Sequence, residues 1–305
     1  MKAQLLIFLV SFSTFALEVD SFTHRQQAYE KADALDKVNA YVNDRIRDAV
    51  AEANHADRIF NQTCSSYTMR RKVKKKLVAS FKGFFVSAPI QRYIDKGRIG
   101  KEYLVKTKKS ESIFRYIPLI YKPILNLTPY SPLLKVNDAL IGSDKFSHLF
   151  NVGYLYFRKL EHGLSIKEII HYGKNAENII WGGFFNGIIS NGDLVANFQG
   201  MRFYQVLFGK GVDPLTQEDL EGTAVIKCID GKFEATREID MADFVDDGMD
   251  EGVNCNTYTS KFMRKNIKKA MDQIPMSCPV VSDQCLAVGE KYAAFSKYLV
   301  YDECR

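Results

Sequence analysis

Two short stretches of this 305-residue chain carry side chains at spacings that can do chemistry. Gly142-Ser143-Asp144-Lys145-Phe146-Ser147-His148 sets Asp144 and His148 four residues apart, with Asn151 three further on. Ser190-Asn191-Gly192-Asp193-Leu194-Val195-Ala196-Asn197 repeats the spacing with Asp193 and Asn197. On a helix, residues four apart share a face, so each stretch draws one polar stripe on an apolar, aromatic-rich surface. Buried polar groups are costly without partners, so the two stripes predict one shared polar site. Between them, Glu177 lies in Ala176-Glu177-Asn178-Ile179-Ile180-Trp181, where its carboxylate cannot easily face water. Asp144, His148, Glu177 and Asp193 are therefore the candidate catalytic residues, and Lys145, Asn151 and Asn197 the candidate binding residues.

Such a set has two chemical uses. It can hold a divalent metal, with Asp, Glu and His as ligands and Asn beside them. With a single imidazole and several oxygens, the set suits Mg²⁺, Ca²⁺ or Mn²⁺ better than Zn²⁺. Alternatively it works without metal, Glu177 kept protonated by burial as general acid and His148 acting as base. Lys145 bears on the choice. An inward ammonium competes with a metal for the same carboxylates, yet at about 100° from Asp144 around a helix it can equally face solvent. A third reading needs no chemistry: Ser143 and Ser190 are natural N-caps, acids are favoured in a first turn, and a satisfied polar network fixes helix register.

The elements that must position these residues read as helices. Leu35, Val38, Val42, Ile46, Ala49, Val50 and Ala53 recur at helical spacing and predict an amphipathic helix over 24–55. A loop at 61–67 holds the first cysteine. The next helix carries Arg70-Arg71-Lys72 and Lys74-Lys75-Lys76 and continues into Leu77, Val78, Phe81, Phe84 and Phe85. Glycines and prolines punctuate 96–132 as turns and short extended pieces. Ser143 should cap a helix over 144–160, Ser165 one over 166–172 and Ser190 one over 191–208, with a glycine-broken apolar helix over 174–189. Thr223 to Cys228 alternates as a strand of a hairpin ending near Phe233, and 241–305 reads as two or three short helices. The predicted class is mainly α, a compact helical core with a short β-hairpin and a disulfide-tied helical C-terminal part. Its expected divisions are a signal peptide (1–16), an N-terminal amphipathic helix (17–60), a basic helix and wrapping segment (61–140), the helical core with the polar site (141–210) and a cysteine-containing part (211–305).

Lys2, the apolar core Leu5 to Val10 and the small-x-small exit Thr14-Phe15-Ala16 read as a secretory signal cut after Ala16, with Glu18 and Asp20 following at once. No later apolar run is long enough to span a bilayer, so a soluble exported protein is expected. All six cysteines follow that cut, an even count that predicts disulfides in any of fifteen pairings. Four lie beyond residue 250. There is no CxxC pair, which speaks against a zinc knuckle or a thioredoxin-like motif. A net charge of +6 is too mild to imply nucleic acid. The run from Arg70 to Lys76 can bind anionic lipid or polymer, or be the solvated face of a helix. Glu238 to Glu251 holds seven acids in fourteen residues without EF-hand spacing, and reads as a solvated acidic helix.

Gly142 to Phe150 also resembles the G-x-D-K-x-x-H-F signature of VanZ-like and YfiM-like envelope proteins, with Leu149 where Phe is usual. In those proteins a helix with a Glu follows, then S-x-x-D-x-x-A-N-x-x-G. The matches here are Glu177 and then Ser190, Asp193, Ala196, Asn197 and Gly200. The resemblance spans residues 142–200 and extends to uncharacterised secreted proteins of Gram-negative bacteria. It implies an envelope setting and leaves the reaction open. The expected function is that of a periplasmic or secreted hydrolase or transferase acting on peptidoglycan or envelope lipid. The alternative is a non-catalytic scaffold or a binder of anionic polymer or membrane surface. The expected partner is a cell-envelope component.

Overall fold

In the computed structural model, which describes residues 18–79, 87–118, 129–176 and 187–305, the first helical stretch divides in two. Helix α1 (Arg25–Tyr29) stops short, and α2 (Leu35–Ile59) buries Val38, Val42, Ile46, Ala49 and Ala53. The break lies at Asp33. Its carboxylate accepts from the Leu35 amide at 2.8 Å and from Asn137 and Asp138 at 3.2 and 2.9 Å. A local side chain thus competes with the helix for backbone donors and ties the break to a distant hairpin turn.

Helix α3 (Ser66–Leu77) is capped by the Ser65 hydroxyl and lays Met69, Val73 and Leu77 against α2. It ends at Leu77, because Val78 is extended, and Phe81, Phe84 and Phe85 fall outside the described residues. After α4 (Pro89–Asp95), three short strands form an antiparallel sheet: β1 (Leu104–Val105), β2 (Leu133–Val136) and β3 (Ala139–Gly142). Leu134 pairs with Ile141 and Val136 with Ala139, across a turn whose Asn137 and Asp138 take φ of 54° and 61°. Two positive-φ residues make the tight turn that antiparallel strands favour.

Strand β3 runs straight into the first polar stretch. Helix α5 (Lys145–Ser147), a π-helical turn (His148–Val152) and α6 (Gly153–Glu161) follow without a break. Ser143 does not cap this helix as expected: its hydroxyl donates to Asp95 Oδ1 at 2.5 Å instead. Ser165 does cap α7 (Ile166–Ala176), and Glu168 reaches back to it as a capping box. The apolar helix expected over 174–189 is met differently at both ends, since 174–176 close α7 and Ile188–Ile189 is strand β4; 177–186 lie outside the described residues. Helix α8 (Asn191–Phe208) is capped by Ser190, as predicted, and every residue from Asn191 to Gln205 is buried. A helix surrounded on all sides is the axis of the core.

Strands β5 (Ile226–Ile229) and β6 (Lys232–Ala235) form the predicted hairpin, and β7 (Thr257–Tyr258) pairs with β4. The C-terminal part supplies α9 (Lys261–Met271), α10 (Ser282–Lys291) and α11 (Ser296–Leu299), tied by Cys255–Cys278 and Cys285–Cys304. Cys64–Cys228 joins the α2–α3 turn to β5. The mainly α class is as the periodicity predicts. The acidic stretch is not. Between Glu238 and Glu251 the chain makes two 3₁₀ turns, Met241–Asp243 and Asp247–Met249, and buries Met241, Phe244, Val245 and Met249. Asp250 is fully buried against Arg25, at 2.8 and 2.7 Å. Asp250 and Glu251 are drawn inward with these apolar neighbours, where Arg25 and Lys145 meet them.

Candidate functional site

Gly142 opens the site. A Cβ there would stand 2.2 Å from Asp144 Oδ1 and 2.7 Å from Val19 Cβ, so only glycine lets the β3 end fold onto the carboxylate. The turn then sends Lys145 inward. Its side chain is 1% exposed, and Nζ lies 2.8 Å from Asp144 Oδ2, 2.6 Å from Asp193 Oδ1 and 2.6 Å from Glu251 Oε1. The three N–H donors of the ammonium each meet a carboxylate. Burial alone would lower its pKa, but these acids hold it well above the usual lysine range.

Asp193 comes from the first turn of α8. Its amide donates to Ser190 Oγ at 3.0 Å, and Ser190 in turn donates to Glu251 Oε1 at 2.8 Å. Burial would raise the pKa of Asp193; His148, Lys145 and Ser190 together bring it below the usual carboxylate value. His148 Nε2 stands 3.2 Å from Asp193 Oδ2, and Nδ1 stands 3.0 Å from Asn197 Oδ1. The imidazole is the part-exposed edge of this group, at 17% against 8% for Asp193.

Glu251 is pushed up to about 7 by burial, with Lys145 opposing and Asp193 and Asp144 adding to the rise. Asn256 Nδ2 donates to its second oxygen at 2.6 Å. Glu18 is buried on the same cluster. Burial first, then the charges of Glu251 and Asp193, drive its pKa well above the ordinary value. Among the described residues, four carboxylates thus cluster about the Lys145 ammonium, with His148 on the Asp193 side, and burial holds Glu18 and Glu251 toward their protonated form.

The structure brings together five of the seven candidates: Asp144, Lys145, His148, Asp193 and Asn197. Asn151 belongs elsewhere. Its Oδ1 accepts from the Ala79 amide at 2.8 Å, beyond the end of α3. The π turn explains the departure, because an extra residue per turn rotates Asn151 out of the stripe that ideal helical spacing would give it. Glu177 lies outside the described residues. Glu18 and Glu251 were not among the candidates. In sequence, Glu18 reads as one of the acids just past the cut of an export signal and Glu251 as part of a solvated acidic helix. The available signal was Asp250-Glu251 set between Met249 and Val253, both fully buried.

Asp144, His148 and Asp193 each present a ligand atom within 4.8 Å of the others, a set that can meet a divalent cation. The Lys145 ammonium already neutralises one oxygen of both carboxylates, and its charge opposes a cation beside it. All six cysteines are paired, and no described helix is long and apolar enough to cross a membrane. Compared with models of known protein families, with curated proteins and with solved structures, the chain shows no match.

Proposed function

We propose that this chain is an exported protein of the bacterial cell envelope that carries out acid–base hydrolysis or group transfer on envelope material, peptidoglycan or envelope lipid. His148 transfers the proton, and Asp193 orients its ring. The observation that carries this reading is the pairing of His148 Nε2 with Asp193 Oδ2 at 3.2 Å, the carboxylate buried and fixed by Lys145 while the imidazole is the edge that water can reach. A part-exposed imidazole oriented by a buried carboxylate is the arrangement of a proton-transfer site. The other ring nitrogen, Nδ1, lies 3.0 Å from Asn197 Oδ1. The ring gives up Asn197 to reach a substrate, and Asp193, anchored by Lys145, stabilises its charge during transfer. Export is supported by three disulfides, by the N-terminal signal pattern and by the resemblance of residues 142–200 to envelope proteins.

The test uses purified peptidoglycan and extracted envelope lipid as substrates. His148→Ala and Asp193→Asn should each lower turnover by roughly a hundredfold or more, with His148→Ala leaving the thermal midpoint almost unmoved. Turnover that survives dialysis against a chelator separates this chemistry from a metal-dependent one. Full activity of His148→Ala, or no turnover of either material by the native chain, would sink the proposal and leave the network a structural device in a scaffold.

A further inference from the structure

The basic run on α3 is largely answered by α2. Lys72 and Lys75 lie 3.2 Å from Glu52, and Lys76 lies 2.8 Å from Glu52 and 3.3 Å from Asp48. Arg70 pairs with Glu161 at 2.5 Å. The helix as a whole is therefore not a free cationic face. Its N-terminal end is different. Arg71 has no acidic partner among the described residues, and Ile59, Phe60 and Tyr67 stand 63%, 70% and 74% exposed around it. Three large apolar side chains left in water within nine residues are a feature of docking surfaces.

The place is also rigid. Cys64–Cys228 fastens the α2–α3 turn to β5, and a Cβ on Gly231 at the hairpin tip would lie 3.4 Å from Thr63 Cγ2. Ile229, at that same hairpin end, is exposed as well. Beside Phe60, a cavity of about 510 Å³ is lined by Ala56, Thr68, Arg71, Lys72 and Lys75. A pocket of that make-up accepts an anionic headgroup on the cations and hydrocarbon on the ring.

We propose that this end of the molecule, the junction of α2 and α3 with the β5–β6 tip beside it, docks on an anionic phospholipid surface. Ile59, Phe60 and Tyr67 enter the headgroup–acyl boundary, while Arg71 holds a lipid phosphate and the exposed Lys75 turns from Glu52 to join it. Charge complementarity selects an anionic surface, and the apolar trio selects lipid over a soluble polyanion, for which exposed hydrocarbon has no use. The surface involves none of the residues of the His148 site, so it stands or falls apart from the reaction proposed there.

Co-sedimentation of the full oxidised chain with vesicles decides it. Binding is expected to vesicles of phosphatidylglycerol in phosphatidylcholine, and to be weaker by about tenfold or more to phosphatidylcholine alone. The triple variant Ile59→Ser, Phe60→Ser, Tyr67→Ser should lose vesicle binding by about tenfold while retention on polyphosphate is unchanged. The pair Arg71→Glu, Lys75→Glu should weaken both. Because all five positions are exposed or at the rim, thermal midpoints close to the native value check that each variant is folded. Failure of the native chain to bind anionic vesicles, or undiminished binding by the triple variant, overturns the proposal. If polyphosphate retention alone falls with the charge reversals, the site is for a soluble polyanion.

Discussion

Glu251 illustrates how a single buried carboxylate links the site to the stability of the whole chain. Folded, it is held at about 7 against a usual 4.5. Between those values the folded chain keeps a proton that the unfolded chain has released, so the folded state binds more protons and stability falls as pH rises through the interval. Glu18 acts in the same direction, and so do Asp95 and Asp247, each pushed up to about 6 chiefly by burial. Asp193, held low, contributes stability that is lost only at more acidic pH. The thermal midpoint is therefore expected to be higher at pH 5 than at pH 7.5, by an amount on the order of a few kcal/mol in free energy. Glu251→Gln carries no titrating proton and should flatten part of that slope. Midpoints measured across the interval check this; a midpoint that climbs with pH would mean that these acids are not held protonated.

At the scale of elements, the site depends on how closely α6 and its π turn approach α8. A Cβ on Gly200 would stand 1.9 Å from the Leu149 carbonyl oxygen, and one on Gly153 would stand 2.4 Å from Gly200 Cα. Both obstacles are backbone, which cannot swing aside. The π turn also exposes the Phe150 carbonyl, which accepts from the Tyr204 hydroxyl at 3.0 Å and so pins the turn to α8. The same approach that allows this contact carries His148 to Asp193 and Asn197. Gly200→Ala is thus expected to cost about 3 kcal/mol or more, as forced overpacking does, and to lower activity beyond the loss of folded protein because the helices separate at His148. Urea unfolding read alongside activity per folded molecule tests the pair. A variant as stable as the native chain would show that the crossing can relax. Sequence spacing could place Gly200 on the stripe of Asp193 and Asn197, but a π turn has no period of its own to read. That is why Asn151 falls off the stripe it was expected to extend.

Over the whole molecule, what was legible follows from locality. Helical periodicity located α2, α7 and α8, and two serines announced the caps of the last two, because propensity and capping act within a few residues. The gathering of Asp144, His148, Asp193 and Asn197 was legible from shared spacing. Glu18 and Glu251 were not, since they reach the cluster from 126 and 58 positions away from Asp144 and Asp193 respectively by tertiary packing alone (144 − 18 and 251 − 193). The cysteine pairing was equally closed to sequence, which allows fifteen arrangements. The arrangement found has a measurable consequence. Cys64–Cys228 spans 164 positions, whereas Cys255–Cys278 and Cys285–Cys304 span 23 and 19. Restricting the unfolded chain scales with the logarithm of loop length, giving about 5 kcal/mol for the long loop and about 3 for each short one. Replacing each pair with serines should therefore lower the denaturant midpoint most for Cys64→Ser with Cys228→Ser. The fold within the C-terminal part should persist in that variant, while α2 and α3 become the first region to exchange amide hydrogens. Three equal midpoints would mean that the α2–α3 hairpin is held as firmly by its packing on β6, where Asn54 exchanges hydrogen bonds of 2.8 Å with the Phe233 backbone in both directions, as by its crosslink.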